Sequence, residues 1–132
     1  MGHIKHYFER DQFAAHNAIE LLEAADGQAR ARMTLSQRHW NALGTVHGGA
    51  LFTLADFAFA AACNSHGTVA VAINGSITFL KAVSTGVLYA EAREIAKTFK
   101  LGSYTVTVRD EQGEVVAQFQ GVAYRKKDPL PD

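Results

Sequence analysis

The sequence predicts an α+β domain, an antiparallel sheet curled around one long helix, on three observations. Residues 47–64 are built of Ala, Leu and Phe and are apolar on every face of a helical wheel. Ahead of them, Asp26-Gly27 separates two short stretches, a strong two-residue hairpin signal. After them come four stretches rich in Val, Ile, Thr, Phe and Tyr, divided by turn residues. A helix apolar all round must be surrounded, and strands joined by short connections supply an antiparallel sheet to surround it.

Taken in order, residues 3–16 are polar with Tyr7, Phe8 and Phe13 at helical spacing and read as one short amphipathic helix capping the domain. Residues 19–25 and 28–35 are the arms of the hairpin. Residues 36–46 hold Asn41 and Gly44, lack a period and read as a loop. The strands are expected over 68–80, 87–96, 103–110 and 114–125, with turns at 84–86, 101–102 and 111–113. From Lys126 the chain is charged and proline-containing and reads as a fray. The organisation expected is a helical segment over 1–17, one domain over 18–125 and a tail over 126–132.

At 132 residues the chain fits one domain. Thirteen basic and thirteen acidic side chains cancel, so no broad field draws in nucleic acid or an anionic membrane, and neither is expected as a partner. The first thirteen residues show no apolar core of a signal peptide, and the most apolar run, 50–63, is too short to span a bilayer. With one cysteine, Cys63, an internal disulfide is impossible. Together these place the protein in the cytoplasm as an expectation.

The residue that points to chemistry is Asp56. Between Arg38 and Lys81 it is the only Asp, Glu, Lys or Arg, and it stands in the middle of the apolar helix. A carboxylate in such a setting costs several kcal/mol unless it is paired, so it marks a functional site or a structural network that satisfies it. His47-Gly48-Gly49 begins the same helix, where free amides and the positive end of the helix dipole can hold an oxyanion. A tight loop-to-helix turn with His47 as its polar cap is the structural alternative. Asp56 lies eight residues beyond Gly48, about 12 Å along the axis. The two cannot act on one carbonyl from one helix, so a shared site needs helices of two subunits packed around a two-fold axis.

Asn41, His47-Gly48-Gly49, Leu54-Ala55-Asp56 and the run from Phe57 to Asn64 resemble the hotdog-fold thioesterases of the phenylacetate-degradation (PaaI) group, with agreement over residues 18–125. The resemblance implies a hydrolase of acyl-CoA thioesters without metal or organic cofactor, assembled as a dimer that forms the active site and further as a homotetramer. Carried over, Asp56 is the general base or a nucleophile, Gly48 N–H polarises the carbonyl, and Asn41 and His47 are positioning residues. Gly49 belongs to the substrate-binding turn. From the strand after the helix, Asn74 and Ser76 share one face and are the candidates for orienting the water. For the phosphates of coenzyme A, Lys97 and Lys100 are the first candidates among Lys81, Arg93, Arg125 and Lys126.

No serine-hydrolase elbow, zinc-protease motif, P-loop or dinucleotide fingerprint occurs. Cys63 lies on the face of Asp56 near His66, and packing rather than nucleophilic attack is expected of it. His3 and His6 lack a third ligand, so no metal is expected. Two other functions stay open: a non-catalytic acyl-CoA-binding module, and a dehydratase of hydroxyacyl thioesters that uses His47 with Asp56.

Overall fold

A computed structural model describes residues 2–131. The chain opens with two short helices, α1 (Gly2–Phe8) and α2 (Gln12–His16), where the sequence predicts one. The break falls at Asp11, whose carboxylate accepts from Ala14 N–H at 2.9 Å and caps α2. Phe8 is buried edge-on against Phe57, so this segment packs on the domain.

The hairpin forms as predicted, β1 (Ile19–Ala25) against β2 (Gln28–Thr34). Asp26 and Gly27 both take positive φ, 54° and 80°, the backbone that a two-residue hairpin turn demands. The loop after it contains one 3-10 turn, Gln37–His39, and an isolated bridge between Trp40 and Val46. The long helix α3 (Gly48–Asn64) follows, with His47 as its N-cap. Then come β3 (Thr68–Phe79), β4 (Val87–Lys97), β5 (Leu101–Arg109) and β6 (Val115–Pro129).

The six strands make one antiparallel sheet in the order β1-β2-β4-β5-β6-β3. Helix α3 touches all six, so the sheet wraps it. Ala55, Ala58, Ala61 and Ala62 are buried on α3 and let the sheet approach closely, while Leu54 and Phe59 fill the space between. Burying the last two contributes about 1.5–3 kcal/mol each. The sheet edges are β1 and β3.

The expected fray after Arg125 is absent. Strand β6 continues to Pro129, which pairs with Thr68 at the start of β3, and Leu130 is buried beyond it. The charges of Lys126, Lys127 and Asp128 stay in solvent, and these three residues bulge out of the ladder between the pairs Arg125–Ala70 and Pro129–Thr68.

Candidate active site

The site is built from the first turn of α3 and the loop that delivers it. His47 Nδ1 accepts from Gly49 N–H at 2.8 Å, and His47 O accepts from Ala50 and Leu51 N–H. That leaves Gly48 N–H as the one amide of the first turn with no acceptor among the described residues. The structural alternative for His47 is therefore present, and it has a consequence: the cap consumes the amide of Gly49 and singles out that of Gly48. Gly49 is small for a local reason, since a Cβ there would sit 3.0 Å from His47 Nδ1.

The loop is held by Asn41. Its Oδ1 accepts from the N–H of Leu43 and Thr45 and from the Thr45 hydroxyl, and its side-chain amide nitrogen has no partner among the described residues. Asn41 and Gly48 line one cleft of about 480 Å³ with Val46, Leu51, Phe79, Leu80 and the neighbouring Thr45, Lys81 and Ala82. The ring of Phe79 lies over Gly48, where a Cβ would stand only 2.9 Å from Cζ. An open cleft of mixed lining thus holds an unpaired N–H on the positive end of a helix, an arrangement that can bind a carbonyl oxygen and stabilise charge developing on it.

Asp56 is two turns further along α3, outside that cleft and half-buried. Its carboxylate has no hydrogen bond or ion pair among the described residues. Burial first, and the charge of Asp11 second, hold its carboxyl above the ordinary value, which makes it a better proton acceptor near neutral pH. Cys63 on the same side is buried, with its thiol pushed up to about 12, first by that burial. It is packing, not a thiolate.

The other predicted residues lie elsewhere. Directly opposed residues of an antiparallel pair share a face. Ala72, Gly75 and Ile77 oppose Ala123, Gly121 and Phe119, which are buried toward α3. Asn74 and Ser76 oppose Val122 and Gln120 instead, on the outer face, away from Asp56. They share a face as predicted, and it is the face turned away from α3. Lys81 is not free for a phosphate, because its Nζ binds Asp110 at 2.7 Å and Glu114 at 2.9 Å. Lys97 and Lys100 are exposed where β4 turns into β5. Lys100 lines a second cleft of about 410 Å³ with Thr68, Phe99, Tyr124, Arg125, Lys126, Lys127 and Asp128, and Lys127 Nζ stands 5.5 Å from the Phe99 ring.

Sequence reasoning passed over His39. It is buried, with Nδ1 accepting from Ser36 N–H at 3.1 Å and Nε2 donating to Asn17 O at 2.9 Å. His39 O accepts from His47 N–H at 2.7 Å, so this residue anchors the loop ahead of α3 to the N-terminal segment. A histidine in a polar loop with no periodic pattern gives no signal of burial. Among the described residues no three His, Cys, Asp or Glu side chains converge as a metal site, and no helix is long and apolar enough to cross a membrane.

Comparison with known proteins yields a consistent set. The profile of the thioesterase superfamily matches residues 43–117. The acyl-coenzyme A thioesterase PaaI of Escherichia coli is 36% identical over 119 residues, covering 89% of this chain and 85% of that protein. Human acyl-coenzyme A thioesterase 13 is 31% identical over 105 residues, covering 76% and 74%. The solved structure of E. coli PaaI, from the phenylacetic acid degradation operon, superposes with a TM-score of 0.89 at 31% identity, over 97% of this chain and 99% of that one.

Proposed function

Because this chain belongs to the thioesterase superfamily, with the hotdog fold, we propose that it hydrolyses an acyl-CoA thioester to the free acid and coenzyme A at a site shared between two subunits. The observation that carries the reading is the pair of unsatisfied groups on α3, the Gly48 N–H and the Asp56 carboxylate. Both are only half-buried in the single chain, so each stays open to water or to a ligand. Gly48 N–H holds the thioester oxygen as negative charge grows on it, and Asp56 activates water or attacks the carbonyl carbon itself. In either route the C–S bond breaks, water supplies the new oxygen, and a proton ends on the thiol sulfur.

The two groups are two turns apart, so each site joins Gly48 of one subunit to Asp56 of the other. The edge strand β3 supports this dimer. Val71 and Ile73 are exposed on it, and its outer backbone groups have no strand beside them. Pairing β3 with its two-fold mate runs the strands antiparallel, closes the edge and brings the α3 helices side by side. Residue 52, midway between 48 and 56, then lies at the axis. Because Thr68 begins β3 and Phe79 ends it, the same pairing turns the basic cleft of one subunit toward the Phe79 end of the other. Lys100, Lys126 and Lys127 meet the phosphates there and Phe99 offers a face to the base, with Lys97 beside them. The tetramer is two such dimers, and the unpaired Cys63 fits a reducing cytoplasm.

The acyl group lies against Val46, Leu51, Phe79 and Leu80, and an aryl or short to medium chain suits a cleft of this size. The test is thiol release from acyl-CoAs with phenylacetyl, benzoyl and straight-chain acyl groups, wild type beside Asp56→Asn at matched oligomeric state. Release that the substitution abolishes supports the reading. Binding of acyl-CoA without release by wild type sinks it in favour of a binding module, and hydration of an enoyl thioester in favour of a dehydratase.

A further inference from the structure

A nucleophilic water needs two acceptors, one to take its proton and one to hold the other hydrogen so that a lone pair faces the carbonyl carbon. Asp56 is the first. The second does not come from β3, since its side chains toward α3 are those of Ala70, Ala72, Ile77 and Phe79, with Gly75 among them. Nor is it Cys63, whose sulfur is buried and already accepts from Asn64 Nδ2 at 3.7 Å.

On α3 itself, the residues one turn from Asp56 on its own side are Phe52, Thr53, Phe59 and Ala60, and of these only Thr53 is polar. Helix side chains lean toward the N-terminus, so the Asp56 carboxylate reaches back over the turn that holds Phe52 and Thr53. Residues three apart have Cβ atoms about 5–6 Å from each other, a gap that one water spans. Thr53 Oγ1 donates its single proton to Gly49 O at 2.7 Å. Toward anything else it can only accept. That bond is a common way for a threonine to sit in a helix; here it also fixes the hydroxyl as an acceptor, half-exposed, beside an unpaired carboxylate.

We propose that Thr53 is the second acceptor for the attacking water, a catalytic residue that the active site takes from the helix because the strand opposite supplies no polar side chain. The proposal rests on the thioesterase reading and gives Asp56 the role of base. Water donates one hydrogen to Asp56 and the other to Thr53 Oγ1, and its oxygen bonds to the thioester carbon as the first proton passes to Asp56. The C–S electron pair then leaves with sulfur, and Asp56 returns the proton to the thiolate, giving the carboxylic acid and the free thiol.

The experiment measures kcat and KM of the intact oligomer for Thr53→Val and Thr53→Ser, using the best acyl-CoA of the panel, with melting temperature and oligomeric state alongside. Valine keeps the shape and removes the oxygen; serine keeps the oxygen. The expected result is a kcat about 10²-fold lower for Thr53→Val, a KM within about twofold of wild type and recovery in Thr53→Ser to within about threefold. A wild-type kcat in Thr53→Val, or equal losses in the two variants, overturns the proposal while leaving the thioesterase reading intact if Asp56→Asn is inactive. Should Asp56→Asn turn over normally, the reading and the proposal fall together.

Discussion

At its C-terminal end, α3 closes on a saturated polar network. Asn64 donates to the carbonyls of Ala60 and Ala70 and accepts from Ala70 N–H at 2.9 Å. Ser65 accepts from Gly27 N–H and donates to Ala62 O, and Glu94 receives the Tyr104 hydroxyl at 2.5 Å and faces His66 at 2.7 Å. Burial alone would raise the Glu94 carboxyl, but those two partners outweigh it and hold it below its ordinary value. At the other end and along the open side, the same helix leaves Gly48 N–H and Asp56 unpaired, and Asp56 is held above its ordinary value. The two halves carry the same kinds of group and differ in whether the protein satisfies them. The saturated half ties hairpin, helix and strands together; the unsaturated half is available to a ligand.

The largest effect expected is at Asp56. Asp56→Asn lowers kcat about 10³-fold or more in a thiol-release assay, yet it does not destabilise. The sign follows from the raised folded value: ionising Asp56 costs the native state stability above that value, and the cost is absent below the unfolded value of about 3.9. Asp56→Asn therefore melts above wild type at neutral pH, and the difference closes as pH falls below about 4. A melting temperature below wild type at pH 7 would mean that the carboxylate is part of the structure's bonding after all.

Gly48→Ala comes next. It keeps the N–H but sets a methyl against the Phe79 ring, so kcat/KM falls about 10²-fold if the donor is displaced from the carbonyl oxygen. Phe79→Ala in the same chain restores part of that loss, because it removes the atom in conflict. The mirror experiment at the saturated end is Asn64→Ala, which orphans Ala70 N–H in the interior. It costs about 1–3 kcal/mol in denaturant unfolding and leaves turnover per folded enzyme unchanged. Loss of kcat there, without unfolding, would erase the distinction between the halves.

How far this contrast could be read in the sequence depends on the residue. The helix, the hairpin and the strand count follow from periodicity and from Asp26-Gly27, because both signals are local. Asp56 stood out for the same reason, as the one charge in a long uncharged stretch. The face taken by Asn74 and Ser76 was not legible: β3 is an edge strand of small residues, and a bulge between Ala72 and Asn74 breaks its alternation. The end of β6 is not legible because three exposed, charged residues that bulge before the last pair look like a tail. Nor does local pattern tell that Lys81 is taken, since Asp110 and Glu114 reach it from about thirty residues away in the chain.

The smallest effect tests whether the N-terminal segment takes part in the unsaturated half. Asp11 caps α2, which packs on α3 beside Phe57, and its charge is the second cause of the raised Asp56 carboxyl after burial. Asn is as good an N-cap as Asp, so Asp11→Asn keeps the helix end and removes only the charge. With the like charge gone, Asp56 ionises more readily, and the acid limb of the kcat/KM profile moves to lower pH while the plateau near pH 8 stays put. Asp11→Ala, which also loses the cap, adds a drop in stability of about 1 kcal/mol. An acid limb unmoved in Asp11→Asn, with Asp56→Asn inactive, would assign the raised carboxyl to burial alone and confine the N-terminal helices to packing. A limb displaced downward makes the segment outside the matched superfamily region a part of the catalytic apparatus, acting on the base through charge and exclusion of water.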